Sequence, residues 1–182
     1  MTHSVTINWH RLGIDNEAAM ALFQALRARV RRHWAYVQKK HGLTVEHLDD
    51  IGAHENPGGR RNTHWGVAVA AEFVREFEIT VRQRLSKLTG IKDLGAALHF
   101  APIYAGGGYA KYILKGIDPS YQRYFFIEAE DQGFIAGRGR TFVARSISQA
   151  ARRQAGWSRK SRAGVHHSQG AKPSGFEPPA LP

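Results

Sequence analysis

Cysteine is absent from this 182-residue chain, which excludes a disulfide scaffold, a cysteine-ligated zinc or iron–sulfur site and a thiol nucleophile. Long apolar runs are also missing, since the longest, such as residues 65–71, fall far short of the roughly 20 residues that cross a bilayer. The N-terminus does not show a basic stretch followed by an apolar one, as a secretory signal would. These absences predict a cytoplasmic protein with no membrane segment.

Acidic side chains are few: 15 Asp and Glu stand against 26 Lys and Arg, so the net charge is +11 and the isoelectric point is near 10.3. Apolar residues make up 42% of the chain, which is enough for one core. We expect a folded domain over residues 1–156 and a disordered basic tail over 157–182, where Gly and Pro recur and little can be buried. Such an excess of positive charge predicts a polyanionic partner, most often nucleic acid.

No acidic residue stands between Asp131 and Glu177, although residues 138–162 hold eight basic side chains. Like charges without internal partners favour contacts with phosphates. We therefore expect DNA contacts from a set of basic residues: Lys111, Arg138, Arg140, Arg145, Arg152 and Arg153. The first predicted helix carries a further basic face, which is open to interpretation as a solvated or a binding surface: Arg27, Arg31, Arg32, Lys39 and Lys40.

Hydrophobic periodicity predicts four strands and two long helices, followed by a short third helix. The predicted strands cover residues 4–9, 50–55, 62–69 and 96–103, with a turn over 56–61. Asp15 or Asn16 caps the first helix, Gly90 ends the second, and residues 106–108 break the chain before a helix over 109–116. The order β-α-β-β-α-β is that of the α+β, ferredoxin-like split βαβ arrangement, an antiparallel sheet with helices on one face. The other face is left for a site.

Alternation along the third predicted strand divides its side chains between two faces: Asn62, His64, Gly66 and Ala68 on one, Thr63, Trp65, Val67 and Val69 on the other. The bulky apolar set should face the helices. His64 is therefore predicted on the open face, beside two small residues that would let a large ligand approach.

Either His54 or Glu55 shares a face with His64, because adjacent strand residues point to opposite sides. His99 lies in the fourth predicted strand. Imidazole and carboxylate groups together suit a divalent cation, and Mn²⁺ accepts both nitrogen and oxygen whereas Mg²⁺ prefers more oxygen. The sequence thus predicts a divalent-metal site around His64, with its other ligands left open.

The short third helix brings a phenol and an ammonium together. Tyr112 and Lys115 share a face, and Tyr109 is a further neighbour three residues before Tyr112. A phenol is a poor nucleophile at neutral pH because its pKa is near 10, but a nearby ammonium favours the phenolate and a metal-polarised phosphate needs a less reactive attacker. Two interpretations stay open: a catalytic tyrosine with a supporting lysine, or tyrosines that pack with their hydroxyls at the rim.

Taken in order, these features resemble the HUH endonuclease superfamily of rolling-circle replication initiators, relaxases and related transposases. The resemblance covers about residues 4–115. Three segments, and a Gly- and Arg-rich stretch over 137–146, are most similar to the replication-initiator-like proteins of bacterial plasmids and phages: His54-Glu-Asn-Pro-Gly-Gly, Thr63-His64-Trp65 and Lys111-Tyr-Ile-Leu-Lys-Gly-Ile-Asp118.

The resemblance implies a metal-dependent endonuclease that nicks and joins single-stranded DNA. In that superfamily a divalent metal polarises the scissile phosphate and a helix tyrosine attacks it, which forms a 5′-phosphotyrosine link and releases a 3′-hydroxyl. By position, Tyr112 would be the nucleophile, Lys115 the motif lysine and His64 a metal ligand. Asn62 and either Glu55 or His54 would complete the metal site. The cofactor would be Mg²⁺ or Mn²⁺ and the partner single-stranded or hairpin DNA, with a host helicase or polymerase as a further candidate partner.

Asn62 departs from the superfamily pattern, because it stands where the first histidine of the His-hydrophobic-His motif is expected. An amide oxygen binds transition metals more weakly than imidazole does. Two alternatives therefore stand beside the active nuclease. One is a catalytically inactive protein of the same fold that recognises an origin, hairpin or promoter. The other is an unrelated ferredoxin-like RNA-binding module, which predicts aromatic side chains exposed on the central strands.

Overall fold

The computed structural model describes residues 1–116, 126–128, 130–135, 139–148, 153–154 and 156. The chain divides into two units, Met1–Ser146 and Ile147–Pro182. In the described part of the second unit, the backbone N–H of Gly156 donates to the Arg153 carbonyl at 3.0 Å. The predicted tail over 157–182 lies outside the described residues, so its disorder and its boundary stay predictions.

The first unit is built on a five-stranded antiparallel sheet. Its strands are β1 (His3–Asn8), β2 (Asp50–Glu55), β3 (Asn62–Val67), β4 (Leu98–Pro102) and β5 (Thr141–Val143). They lie in the order β4-β1-β3-β2-β5. The first four strands and the helices between them are compatible with the split βαβ arrangement, and the predicted α+β class is confirmed.

Three helices accompany the sheet: α1 (Asn16–Lys40), α2 (Val74–Thr89) and α3 (Gly106–Ile113). The Asp15 carboxylate caps α1 by accepting from two backbone N–H groups of its first turn, and Gly90 ends α2 in the left-handed conformation at φ 75°. Both ends were predicted. By contrast, α3 begins at Gly106, where the sequence predicted a break. Glycine lowers helix stability by only about 1 kcal/mol relative to alanine, so it weakens a helix without excluding it as proline would.

The core lies between the sheet and the pair α1 and α2. Trp65 and Val67 of β3 are fully buried on this face, as the alternation predicted. The Trp65 ring meets the edge of the Phe23 ring of α1, with centroids 5.6 Å apart, and packs against Phe77 of α2 at 5.9 Å. Burial of large side chains such as these stabilises the fold by roughly 1.5–3 kcal/mol each.

Two arginines of the basic face on α1 turn inward. Arg27 donates through Nε and Nη2 to the fully buried Asp50 carboxylate at 2.6 and 2.7 Å, and Arg31 donates to the same carboxylate at 2.7 Å. Trp65 Nε1 adds a fourth hydrogen bond at 2.9 Å. This corrects the expectation of one continuous basic face, because a charge buried in a sheet requires paired partners.

The edge strand β5 was not predicted. It pairs with β2, where Phe142 stands opposite Gly52. A Cβ on Gly52 would lie 2.4 Å from the Phe142 ring, so only glycine admits this ring to the core. Phe142 there contacts the Phe23 ring at 4.9 Å between centroids and stacks under the Arg27 guanidinium at 4.7 Å. A three-residue strand specified by such contacts leaves no periodic signal in the sequence.

Within the described residues, none of the helices combines the length and apolarity that a bilayer crossing requires.

Candidate functional site

The candidate site lies between α3 and the sheet face that α1 and α2 leave open. His64 of β3 stands opposite Thr6 of β1 and Ala53 of β2. The sequence predicted open space for a ligand at Gly66, two residues further along β3. Instead the Tyr109 ring of α3 occupies that space, since a Cβ on Gly66 would lie 2.5 Å from Tyr109 Cε1. The close contact between Gly66 and Tyr109 thus packs α3 against the sheet.

Tyr112 reaches His64 from this helix. Its hydroxyl lies 3.2 Å from Nε2 and 3.4 Å from Nδ1 of the imidazole, and the two rings meet edge to face with centroids 4.9 Å apart. His64 is buried beneath the phenol, whereas the Tyr112 side chain is 42% exposed. A phosphate approaching from solvent therefore meets the phenol before the imidazole.

Glu55 joins the other charged groups of the site. Its Oε2 lies 3.2 Å from His64 Nε2, and its Oε1 lies 3.3 Å from the Lys115 ammonium. The Gln132 carboxamide, with its nitrogen oriented toward Glu55, donates to both carboxylate oxygens at 3.2 and 3.3 Å. Lys115 also lies 4.6 Å from the centroid of the Tyr112 ring. We call Glu55, His64, Tyr112, Lys115 and Gln132 the Tyr112 cluster.

Opposing effects set the pKa values of the ion pair in this cluster. Burial alone would raise the pKa of Glu55, but the hydrogen bond and charge of His64 and the charge of Lys115 outweigh it and lower the pKa below its ordinary value. Burial alone would lower the pKa of Lys115, but Glu55, Tyr112 and Glu130 raise it. Both shifts favour a carboxylate beside an ammonium.

The nucleophile candidate keeps its proton. Burial raises the pKa of Tyr112, and the charges of Glu55 and Glu130 add to this, while Lys115 opposes it. The ammonium therefore does not produce a phenolate by itself, as the sequence had suggested it would help to do. Positive charge from a further source is needed before Tyr112 ionises readily at neutral pH.

His54 points away from this cluster. It is buried on the helix-facing side of β2, where Nδ1 lies 2.8 Å from the Thr63 hydroxyl, which also accepts from Trp9 Nε1 at 2.8 Å. Burial and the charges of Arg61, Arg27 and His64 lower its pKa to about 3. Of the two alternatives left by the sequence, Glu55 shares the face of His64 and His54 does not.

Comparison with known proteins finds no matching family model, no matching curated protein and no matching solved structure. The chemistry of the site therefore has to be derived from its own side chains.

The donors of the cluster fit a hard divalent cation in part. Two neighbouring ligands of an octahedral ion, with bonds of about 2.1 Å, lie about 3 Å apart, and Glu55 Oε2 and His64 Nε2 lie 3.2 Å apart. Asn62 stands opposite Glu55 in the register, but its amide nitrogen donates to the Arg60 carbonyl at 3.2 Å. His99, which pairs with Thr6 from β4, is exposed. No group of three His, Cys, Asp or Glu side chains suited to a metal ion is found in the described part of the chain.

The predicted DNA-contacting residues are distributed differently from the expectation of one basic stretch. Arg138 and Arg152 lie outside the described residues, and Arg153 belongs to the second unit. Lys111 is exposed on α3, one turn before Lys115. Arg145 lies in a 3-10 turn that follows β5. Of the predicted DNA-contacting residues, Lys111 therefore lies nearest to Tyr112 along the chain, directly before it on α3.

Arg140 has an internal role. Its guanidinium donates to the carbonyls of Gly133 at 2.7 Å and Gln132 at 3.4 Å, and so supports the loop that brings Gln132 to Glu55. Asn56 holds the same loop, because its side-chain nitrogen donates to the Phe134 carbonyl at 3.0 Å. Phe134, two residues after Gln132 in this loop, is left 78% exposed.

Sequence reasoning missed two polar residues of the site. Gln132 follows Glu55 by 77 positions and lies in a loop with no periodic pattern, so nothing in the sequence connects the two. The Thr6 hydroxyl lies 3.2 Å from His64 Nδ1. In the sequence, only the alternating pattern of β1 could have pointed to Thr6. Strand register alone brings Thr6 next to His64.

Proposed function

We propose that this protein is a nucleic-acid strand transferase, in which Tyr112 attacks a phosphodiester of single-stranded DNA, nicks it and rejoins it. The observation that carries the proposal is the hydroxyl of the partly exposed Tyr112, which lies 3.2 and 3.4 Å from the two ring nitrogens of a buried histidine that is itself paired with Glu55. A tyrosine whose only role is packing has no need of a buried imidazole beside its hydroxyl, with a buried carboxylate and a half-buried ammonium next to them.

The reaction balances without an oxidant or a reductant. Tyr112 Oη forms a bond to phosphorus while the bond from phosphorus to the 3′ oxygen breaks, and the phenol loses the proton that the leaving 3′ oxygen gains. The products are a 5′-phosphotyrosine and a free 3′-hydroxyl. Attack of a 3′-hydroxyl on the phosphotyrosine reverses the step and joins two strands.

Each neighbour of the phenol has a defined part. Lys115 remains an ammonium, because the carboxylates beside it raise its pKa, and it stabilises negative charge on the phosphate. Glu55 and His64, with the amide of Asn62, would hold Mg²⁺ or Mn²⁺. When bound, such an ion supplies the positive charge that polarises a phosphate and offsets the effect of Glu55 on Tyr112.

Two features favour a single strand as the substrate. The exposed Phe134 ring offers an apolar surface on which an unstacked base can lie. The net charge of +11 favours a phosphate backbone as the ligand. We place this activity in the cytoplasm, in replication initiation or mobilisation of a genetic element, where a host polymerase would extend the free 3′-hydroxyl and a host helicase would unwind the strands.

A labelling experiment tests the proposal. Single-stranded hairpin DNA, labelled in separate samples at the 3′ and the 5′ end, is incubated with the protein and Mg²⁺ or Mn²⁺. The 3′ label should appear on the protein after denaturing electrophoresis, and the 5′ label should appear on a shorter free strand. Tyr112→Phe should abolish the adduct, and His64→Ala should reduce it strongly.

Tyr104→Phe is the matched control, because this tyrosine is 93% exposed and lies outside the Tyr112 cluster. It should form the adduct as the wild type does. If the wild type forms no adduct with either metal but still binds the DNA, the transferase proposal is wrong and a DNA-binding protein without catalysis takes its place. The Asn62 amide, which faces the Arg60 carbonyl, favours that second candidate.

A further inference from the structure

A second basic surface lies on the helical side of the sheet. Arg29, Arg32 and His33 of α1 and Arg84 of α2 line a groove of about 380 Å³. Arg29 and Arg32 are exposed, whereas His33 and Arg84 are half-buried. We call these four residues the helical groove. It lies on the face of the sheet opposite the Tyr112 cluster, because α1 and α2 cover the face that α3 does not.

Helix geometry brings the four side chains together. Residues 29, 32 and 33 are spaced three and four positions apart and so share one side of α1. The two helices run antiparallel. His41, just after α1, lies 3.7 Å from Glu76 near the start of α2, whereas His33, about two turns earlier on α1, lines the groove together with Arg84 in the second half of α2. The groove is therefore fixed by regular secondary structure.

The three arginines of the helical groove form no ion pair within the described residues. Across the described ranges, no carboxylate oxygen lies within 4 Å of the Arg29, Arg32 or Arg84 guanidinium groups. Arg27 and Arg31 of the same helix differ, since both pair with Asp50.

The positive charge of the groove also affects the pKa of His33. Burial lowers the pKa of His33, the charges of Arg84 and Lys40 lower it further, and Glu76 alone opposes them. Glu76 does not line the groove, and its carboxylate lies 3.7 Å from the His41 imidazole. Like charges held close together destabilise a fold unless an anion lies between them.

We propose that the helical groove binds the phosphate backbone of a second stretch of DNA, on the side of the sheet opposite Tyr112. Guanidinium groups suit phosphate oxygens because their planar forks donate two parallel hydrogen bonds. Arg29 and Arg32 of α1 and Arg84 of α2 offer several such donors in one groove, which suits the repeated phosphates of a nucleic-acid backbone. The proposal does not depend on the chemistry of Tyr112, and the DNA-binding alternative described above would also use this groove.

The salt dependence of DNA binding tests it. Binding of a single-stranded and a hairpin DNA to the full chain is measured without divalent metal over a range of salt concentrations. Arg29→Gln/Arg84→Gln should reduce the slope of log K against log salt by about 1.5, because each lost phosphate contact removes about 0.7–0.9. Arg75→Gln/Lys92→Gln removes the same charge elsewhere and is the control. Arg75 lies about two and a half turns before Arg84, on the other side of α2.

The proposal holds if the groove variant loses slope, the control keeps the wild-type slope, and both variants melt at the wild-type temperature. It is overturned if both variants change the slope equally, or if neither does. Modification by phenylglyoxal gives an independent measurement: DNA should protect Arg29 and Arg84, and leave Arg75 reactive. Equal reactivity of all three with and without DNA would overturn the proposal as well. Both measurements report binding alone, so failure of the adduct experiment leaves them interpretable.

Discussion

The Tyr112 hydroxyl lies 3.2 Å from Nε2 and 3.4 Å from Nδ1 of His64, and the same imidazole lies 3.2 Å from Glu55. This relationship joins a strand residue to a helix residue 48 positions later. The proposed chemistry therefore depends on the surroundings of the Tyr112 hydroxyl. The other residues of the Tyr112 cluster contribute by their effect on this hydroxyl.

Lys115 should affect the chemistry more than the binding. Its ammonium lies 3.3 Å from Glu55 and 4.6 Å from the centre of the Tyr112 ring. We expect Lys115→Met to reduce the rate of adduct formation about a hundredfold, as the loss of one charge-stabilising donor commonly does. The rate is measured from the labelled adduct under saturating DNA.

Lys111→Met is the matched control for that variant, because Lys111 is exposed one turn earlier on α3. Both variants lose one positive charge, so DNA affinity should fall by a similar small factor in each. An equal fall in the rate of adduct formation would show that Lys115 contributes only to the overall charge.

Gly66→Ala should displace α3. The new Cβ would lie 2.5 Å from Tyr109 Cε1, so the ring must move and Tyr112 must move with it, since the two rings stack on one helix. We expect loss of the adduct with an otherwise folded sheet, measured by adduct formation and circular dichroism. Tyr109→Ala in the same chain removes the clash and should restore part of the activity. No recovery in the double variant would mean that Gly66 acts in another way.

Part of this arrangement can be read from the sequence, because short-range patterns determine it. The alternation in β3 correctly separates His64 from Trp65. Tyr112 and Lys115 do lie together, as the helical spacing predicted, although α3 ends at Ile113 and Lys115 belongs to the turn that follows it. The contacts of Gln132 with Glu55 and of Arg27 with Asp50 depend on which distant segments of the chain meet. The periodicity of the sequence does not contain this information. The choice between Glu55 and His54 depends on register, which only the paired strands fix.

His54 should make the fold sensitive to acid. Its pKa is about 6.5 in an unfolded chain and about 3 in the buried site. Between these values the unfolded state binds a proton that the native state does not, so the free energy of unfolding falls as the pH decreases from about 6.5 toward 3. Urea denaturation at a series of pH values measures this slope.

Replacement of the histidine removes the titrating group. His54→Gln should flatten the pH dependence in that window, whatever it does to stability at neutral pH. His47→Gln, at an exposed histidine, should leave the slope unchanged. If the slope of His54→Gln matches the wild type, the acid sensitivity comes from other groups.

Arg61 is the opposite case, a buried charge that costs stability. This residue is only 1% exposed, Nη1 donates to Asn16 Oδ1, and Nε and Nη2 find no hydrogen-bond partner among the residues that the structure describes. Burial and the charge of Arg140 lower its pKa. Removal of an unsatisfied buried charge in favour of an apolar side chain of similar length is commonly stabilising.

We therefore expect Arg61→Met to raise the free energy of unfolding by about 1–3 kcal/mol, because the unsatisfied donors and the repulsion with Arg140 are both removed. The same change should raise the pKa of His54, since Arg61 is the charge that lowers it most. Urea denaturation at neutral pH measures the first effect, and the position of the acid transition measures the second. Arg60→Met, at the exposed neighbouring position, should leave both unchanged. A loss of stability in Arg61→Met would mean that the buried guanidinium contributes to the fold through a contact stronger than the one with Asn16.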